Sequence, residues 1–421
     1  MYDVNRAFKL LRKISFERVG GSKKEKEAAN ILQNELIDLG YLPYEEEFEV
    51  DYSQIVDVSL EVFEPIHKKY EVTGVKMTGS TPKNGITAEL VYIEDANDAN
   101  LEYIEGKIVL INSRIIHNIY KKLVTKKPAG FICISGTIYD EKKDTDLDVF
   151  SIREKDYELG KIPGVTIRAI DAQELLEKQA KTVKITLIQN EGKATSRNVV
   201  CDITGTTYPD KIICVTAHYD SVQFSTGAYD NASGSVAIME LFHHFSINKP
   251  KRTLRFIWCG SEELGLRGSK AHVKLHESEL NNYLYCLNVD MVGVILGKEI
   301  AVSTAEMSLV NYISFLANEI GVAIQSTQGV YSSDSTPFAD ANIPATSFAR
   351  ISPAGGAKIH SRKDVLFPLN ANSFESSLKV MVEFLSRIAN SVIFPISKKI
   401  PENMKTELDY YNQRAERPTY K

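Results

Sequence analysis

Three of four short apolar runs in the carboxyl-terminal half of the chain give way to residues that can ligate a metal or carry a proton. The runs at 212–217, 254–259, 284–289 and 345–349 read as buried strands, and helical patterns at 232–245 and 308–320 fall between them. Strands and helices alternating in this way specify an α/β fold whose sheet is at least partly parallel. In such sheets the ligand crevice lies beyond the carboxyl ends of the strands, and that is where His218, Glu262, Glu263 and Asp290 fall.

The chain has 421 residues, more than the roughly 250–300 at which one hydrophobic core stops growing, so two domains or one large insertion are expected. Near residue 50 the pattern changes. Strand-like runs at 55–63, 88–93, 107–111, 130–135 and 183–188 follow, broken by turn residues such as Pro82-Lys-Asn-Gly85. Few histidines or carboxylates cluster there, which points to a β-rich, non-catalytic module inserted into the first domain. The expected division is 1–49 with 196–400 for the α/β domain, 50–195 for the insertion, and 401–421 for a polar tail, loose or docked on the surface. Ahead of the insertion, Ala28, Ile31, Leu32, Leu36 and Leu39 recur at helical spacing, with Ser22 to cap the helix and Gly40 to end it.

Charge and composition exclude several classes. With 50 basic against 55 acidic residues and a net charge of −5, nucleic acid is not an expected partner. The five cysteines are odd in number and widely spaced, as buried thiols are and a disulfide framework is not. No segment approaches the ~18 consecutive apolar residues of a membrane span, and the amino terminus lacks the apolar stretch of a signal peptide. The sequence as it stands reads as cytoplasmic, or as secreted where a leader has been removed. It leaves the oligomeric state open, a homodimer included.

The strand-end residues suit a two-metal hydrolase. Zinc binds histidine nitrogen and carboxylate oxygen while catalytic sites leave a position open for water, and two ions about 3.5–4 Å apart need a shared ligand. Asp230, in a turn before a helix and flanked by small residues, is placed to bridge. His218 and Asp290 then serve one ion, Glu263 and His360 the other. Asp220, two residues beyond His218 on an extended backbone, is expected to take the second imidazole N–H. Glu262, beside a ligating glutamate, is the candidate general base. The remaining histidines, His67, His117, His243, His244, His272 and His276, are expected to cap or line the surface.

Taken in order, Arg18-Val-Gly-Gly-Ser22, His218-Tyr-Asp220, Asp230-Asn-Ala-Ser-Gly234, Ser261-Glu-Glu-Leu-Gly-Leu-Arg-Gly-Ser269, Asn288-Val-Asp-Met-Val-Gly293, Ser333-Asp-Ser-Thr-Pro-Phe338 and His360-Ser-Arg-Lys-Asp364 resemble the co-catalytic di-zinc aminopeptidase family. That family includes glutamate carboxypeptidase and the transferrin receptor. The resemblance spans nearly the whole chain and implies a zinc exopeptidase fold, a mixed, largely parallel sheet sandwiched by helices. It also implies two Zn2+ per chain, one held by His218, Asp230 and Asp290, the other by Asp230, Glu263 and His360, with Glu262 as base and a cis peptide between Asp230 and Asn231. The runs Glu105-Gly-Lys-Ile-Val-Leu110, Lys127-Pro-Ala-Gly-Phe131 and Ile162-Pro-Gly-Val-Thr-Ile167 resemble the protease-associated domain, which in relatives lies over the active site.

One position departs from the pattern. Several relatives carry a tyrosine directly before the last metal-binding histidine, where it helps hold the developing oxyanion; here that residue is Ile359. Tyr331 and Arg350 are the candidate substrate-side donors in its place. The expected activity is that of a metallo-aminopeptidase acting on peptides. Its rivals are a carboxypeptidase using Arg350, Arg362 and Lys363, a glutaminyl cyclase, and a non-catalytic receptor-like module on the same fold.

Overall fold

The computed structural model describes residues 2–141, 147 and 149–415. The chain divides into two compact units, Met1–Val50 with Thr195–Lys421, and Asp51–Ala194.

The first unit is organised by a sheet in which Tyr208–His218 lies parallel to both Arg252–Cys259 and Tyr283–Val289, and the latter parallel to Ala345–Ile351. Lys298–Thr304 joins Ala345–Ile351 antiparallel and carries Ile324–Gln328 in parallel. On the other side, residues 199–203 pair antiparallel with Arg252–Cys259. The strands read as unbroken apolar runs because both faces are covered. Ile213, Val215 and Ala217 belong to one buried cluster, whereas Ile212 and Cys214 belong to another, as the two-residue period of a strand requires.

The larger cluster receives the helices Val4–Ile14, Lys23–Asp38, Ser233–Ile247, Met307–Glu319 and Ala371–Asn390. Their starts are set locally. Asp3 accepts N–H bonds from Asn5 and Arg6, Ser22 from Glu25, and Asn370 from Asn372 and Ser373, which satisfies amides left open at a helix start. Trp258 is fully buried in this cluster and donates its indole N–H to the Ser235 carbonyl at 2.9 Å.

Beyond Pro401, the described residues take the docked one of the two states expected. Glu402–Tyr411 is a helix whose Met404 and Leu408, one turn apart, are buried in the smaller cluster with Phe338 and Ile343. Two apolar residues are too few to show a period in a polar sequence, yet they suffice to seat one face of a short helix.

The second unit pairs Ile86–Tyr92, Ile108–Leu110, Gly130–Ser135 and Gly164–Arg168 in parallel, with Val72–Gly74 antiparallel at one edge. It also holds the helices His117–Lys126 and Ala169–Glu177, so it is less purely β than its sequence suggests. Parallel strands need crossover connections, and His117–Lys126 supplies the one between Ile108–Leu110 and Gly130–Ser135, whereas Ala169–Glu177 leads from the last parallel strand to residues 182–185, which pair antiparallel with Ile86–Tyr92. All five cysteines are buried and none forms a disulfide. Among the described residues no helix is long and apolar enough to cross a membrane.

Candidate metal centre

The parallel strands end on one rim of the sheet. Cys259 pairs with His218, and Asn288 with Thr216, so the segments leaving these strands emerge side by side. His218 is the last residue of its strand, Asp290 follows Val289, and Glu262 and Glu263 lie in the turn after Cys259.

Asp230 sits in the irregular turn Ala228–Ala232, and the Asp230–Asn231 peptide is cis. Asn231 fastens this turn to the neighbouring strand end: its side-chain N–H donates to the Val289 carbonyl at 2.8 Å, and its carbonyl accepts from Met291 and Gly234, each at 2.9 Å. Gly234 is required by that closeness, because a Cβ there would stand 2.3 Å from the Asn231 side chain and 2.5 Å from the Val289 carbonyl.

These elements bring all five expected ligands together. Asp230 turns one oxygen to each histidine, Oδ1 to His218 Nε2 and Oδ2 to His360 Nε2, both at 3.2 Å. Asp290 Oδ1 lies 3.6 Å from His218 Nε2, and Glu263 Oε2 lies 3.1 Å from His360 Nε2. The result is two groups that share Asp230: His218, Asp230 and Asp290, then Asp230, Glu263 and His360.

The residues fit divalent metal. Two buried carboxylate oxygens of the cluster, Glu263 Oε1 and Asp290 Oδ1, have no hydrogen-bond partner, and such atoms are costly unless something else satisfies them. The local charge has the same sense. Desolvation works against a charged His218, but the carboxylates of Glu262, Asp220, Asp230 and Asp290 outweigh it and hold the imidazole well above its ordinary pKa. Desolvation likewise opposes His360, and Asp230 and Glu263 overcome it, pushing the ring up to about 11. A cluster that draws protons so strongly draws cations. Its mixed imidazole and carboxylate donors are those zinc accepts.

Asp220 has more partners than the one its spacing suggests. Its Oδ1 stands 3.4 Å from His218 Nδ1, the ring nitrogen turned away from Asp230 and Asp290. The short bonds are to main chain: Oδ1 accepts the Glu262 N–H at 2.9 Å and Oδ2 the Glu263 N–H at 3.2 Å. Asp220 therefore anchors the glutamate pair.

Arg350 also departs from expectation. Its guanidinium donates to the Val294 and Ile295 carbonyls at 2.6 and 3.2 Å and to Glu299 at 3.1 Å. Those bonds tie the side chain to Glu299 and to the residues after Gly293. Tyr331 is half-buried. Desolvation, then the charges of Asp290 and Asp230, push its phenol far above the ordinary range and keep the proton on the oxygen. Ile359 is 40% exposed.

Two residues of the site have no role in the sequence reading, although both lie inside quoted motifs. Asp364 accepts the N–H of Tyr229 at 2.7 Å and of Asp230 at 3.2 Å, so it fixes the backbone of the shared ligand. Arg18 is fully buried and donates to the carbonyls of Phe16, Tyr219, Thr226 and Gly227, clamping the segment between His218 and Asp230.

Comparison with known proteins bears on the fold and on the segment that carries these residues. Residues 198–385 match the profile described as peptidase family M28. Aminopeptidase YwaD of Bacillus subtilis (strain 168) is 34% identical over 290 residues, which cover 64% of this chain and 60% of the relative. Human carboxypeptidase Q is 27% identical over 291 residues, covering 65% of this chain and 61% of the relative. The alignments thus span about three fifths of the length of these curated relatives. The crystal structure of BSAP, a zinc aminopeptidase from Bacillus subtilis, superposes with a TM-score of 0.79 at 23% identity, covering 96% of this chain and 99% of that one. The fold is of that kind, and the segment that matches peptidase family M28 contains His218, Asp230, Glu262, Glu263, Asp290 and His360.

Proposed function

We propose that the chain is a zinc-dependent exopeptidase that removes amino-terminal residues from peptides, with two ions held by the groups sharing Asp230. The observation that carries this reading is the Asp230 carboxylate, which presents one oxygen to each histidine at 3.2 Å. Bound zinc would supply Lewis-acid polarisation of the scissile carbonyl and acidify the attacking water.

Glu262 moves the proton. Desolvation, with help from Glu263, Asp334 and Asp290, drives its carboxyl well above the ordinary range against the opposing pull of His218, which suits a group that must both take and return a proton. Its carboxylate takes a proton from water as the oxygen adds to the carbonyl carbon. It then delivers that proton to the amide nitrogen as the C–N bond breaks. Asp220, bonded to both glutamate amides, keeps the base at a fixed distance from Glu263. Tyr331, still carrying its phenolic proton, is assigned the hydrogen bond to the developing oxyanion that Ile359 cannot make.

The charge around the site favours an amine end over a carboxylate end. Glu262, Glu263, Asp230, Asp290 and Asp220 gather there, whereas Arg350, the first basic residue a carboxypeptidase would call on, is engaged by Glu299 and two carbonyls. The unit Asp51–Ala194 fits the proposal as a protease-associated module. Hydrolysis of aminoacyl fluorogenic substrates, lost on chelation and restored by zinc, is the expected result. Preference for N-blocked dipeptides would overturn the aminopeptidase reading.

A further inference from the structure

Glu46, His272 and His276 form a separate group whose donor atoms lie within 4.8 Å of one another. Glu46 is buried near the start of the strand Tyr44–Glu64. His272 belongs to the helix Arg267–Leu275 and His276 ends it, four residues on and so on the same side. Neither faces solvent as expected: His272 is fully buried and His276 half-buried.

Both rings turn one nitrogen to the same carboxylate. His272 Nδ1 lies 2.9 Å from Glu46 Oε2, and His276 Nε2 lies 2.8 Å from Glu46 Oε1. The outer nitrogens also meet oxygens, His272 Nε2 at 3.1 Å from the Tyr283 hydroxyl and His276 Nδ1 at 3.3 Å from Glu279 Oε2. Arg255 holds both of those oxygens, with Nη1 2.8 Å from Tyr283 and 3.5 Å from Glu279, and is itself fixed by bonds of 2.9 and 2.8 Å to Asp202. A ring whose outer N–H is given to a fixed oxygen presents a bare lone pair inward, and metal-binding histidines are oriented in this way.

We propose that Glu46, His272 and His276 form a further binding site for a divalent transition metal of the zinc class, separate from the groups that share Asp230. Two imidazoles and one carboxylate suit zinc and its neighbours, while calcium and magnesium call for an oxygen cage. The His276 side chain is 14% exposed and that of Glu279 is 48% exposed, which leaves an approach from solvent. The ion's role is that of a brace. Asn198 links the group to the catalytic turn, since its side-chain N–H donates to Glu46 at 3.1 Å and to the Gly268 carbonyl at 3.0 Å, while its carbonyl accepts from Gly260 at 3.2 Å. Gly260 and Gly268 flank the segment that holds Glu262 and Glu263.

The competing state is metal-free, with protons on the inner nitrogens bonding both rings to Glu46. Metal content decides between them. The full chain is saturated with zinc, freed of excess ion by gel filtration and measured by mass spectrometry. Wild type is expected to carry one zinc per chain more than His276→Gln, while the two hydrolyse an aminoacyl substrate equally. Equal zinc in the two folded proteins overturns the proposal. If circular dichroism shows His276→Gln unfolded, the isosteric Glu46→Gln is read in the same way. A wild-type chain that holds no more zinc than the two groups sharing Asp230 can take overturns the site without any variant.

Discussion

The two clusters of histidine and carboxylate in the first unit use the same side chains at similar separations, yet they are finished differently. Around Asp230, Glu263 Oε1 and Asp290 Oδ1 are buried without a hydrogen-bond partner. Around Glu46 each ring nitrogen and each carboxylate oxygen has one. An unmet buried polar group costs about 1–3 kcal/mol, so a cation that satisfied such atoms would stabilise the first cluster. The second can be closed by protons or by an ion. Function lies where folding leaves charge uncompensated, and structure where folding completes it.

Several experiments would break or sharpen that contrast. The largest effect is expected from Asp230→Ala, which removes the donor common to both groups: activity is abolished and zinc is lost from both, as mass spectrometry would read. A variant that kept full zinc would refute the shared ligand. Glu262→Gln should lower kcat by about 10²–10⁴ with zinc content intact, and steady-state kinetics giving less than a tenfold loss would remove Glu262 from the role of base. Asp364→Asn weakens the hold on the Asp230 backbone without touching a ligand, so a loss of about 10–100-fold in zinc affinity or activity is expected in a folded protein. Calorimetric zinc titration beside a kinetic assay would measure it. The smallest effect belongs to His276→Gln, whose kcat should stay within about twofold of wild type if the Glu46 cluster lies outside the proton-transfer machinery.

Much of the first unit was legible because its signals are local. The run from Ile212 to Ala217 shows no polar alternation, and the structure buries it on both faces. Four of the five candidate ligands stand within a few residues of a strand end or in a turn of small residues, whereas His360 lies well past the strand end at Ile351. Spacing puts Asp220 beside an imidazole, where the structure also has it, but does not announce the two backbone amides its oxygens accept from. Likewise nothing near Arg350 in sequence announces Glu299 or Val294 as its partners. The helices His117–Lys126 and Glu402–Tyr411 each bury only two residues, too few to stand out as a period.

By itself, then, the sequence determined the strand periodicity, the parallel α/β arrangement and the residue types at the strand ends, all matters of neighbours along the chain. Only the tertiary structure decided which oxygen of Asp230 faces which histidine, that Arg18 clamps carbonyls some 200 positions away, and that Glu46 meets His272 across 226 positions. Hydrogen bonds and ion pairs reach about 3 Å whatever the sequence separation. Which distant groups come within that reach is set by how the strands register and the helices pack, and no local pattern encodes it.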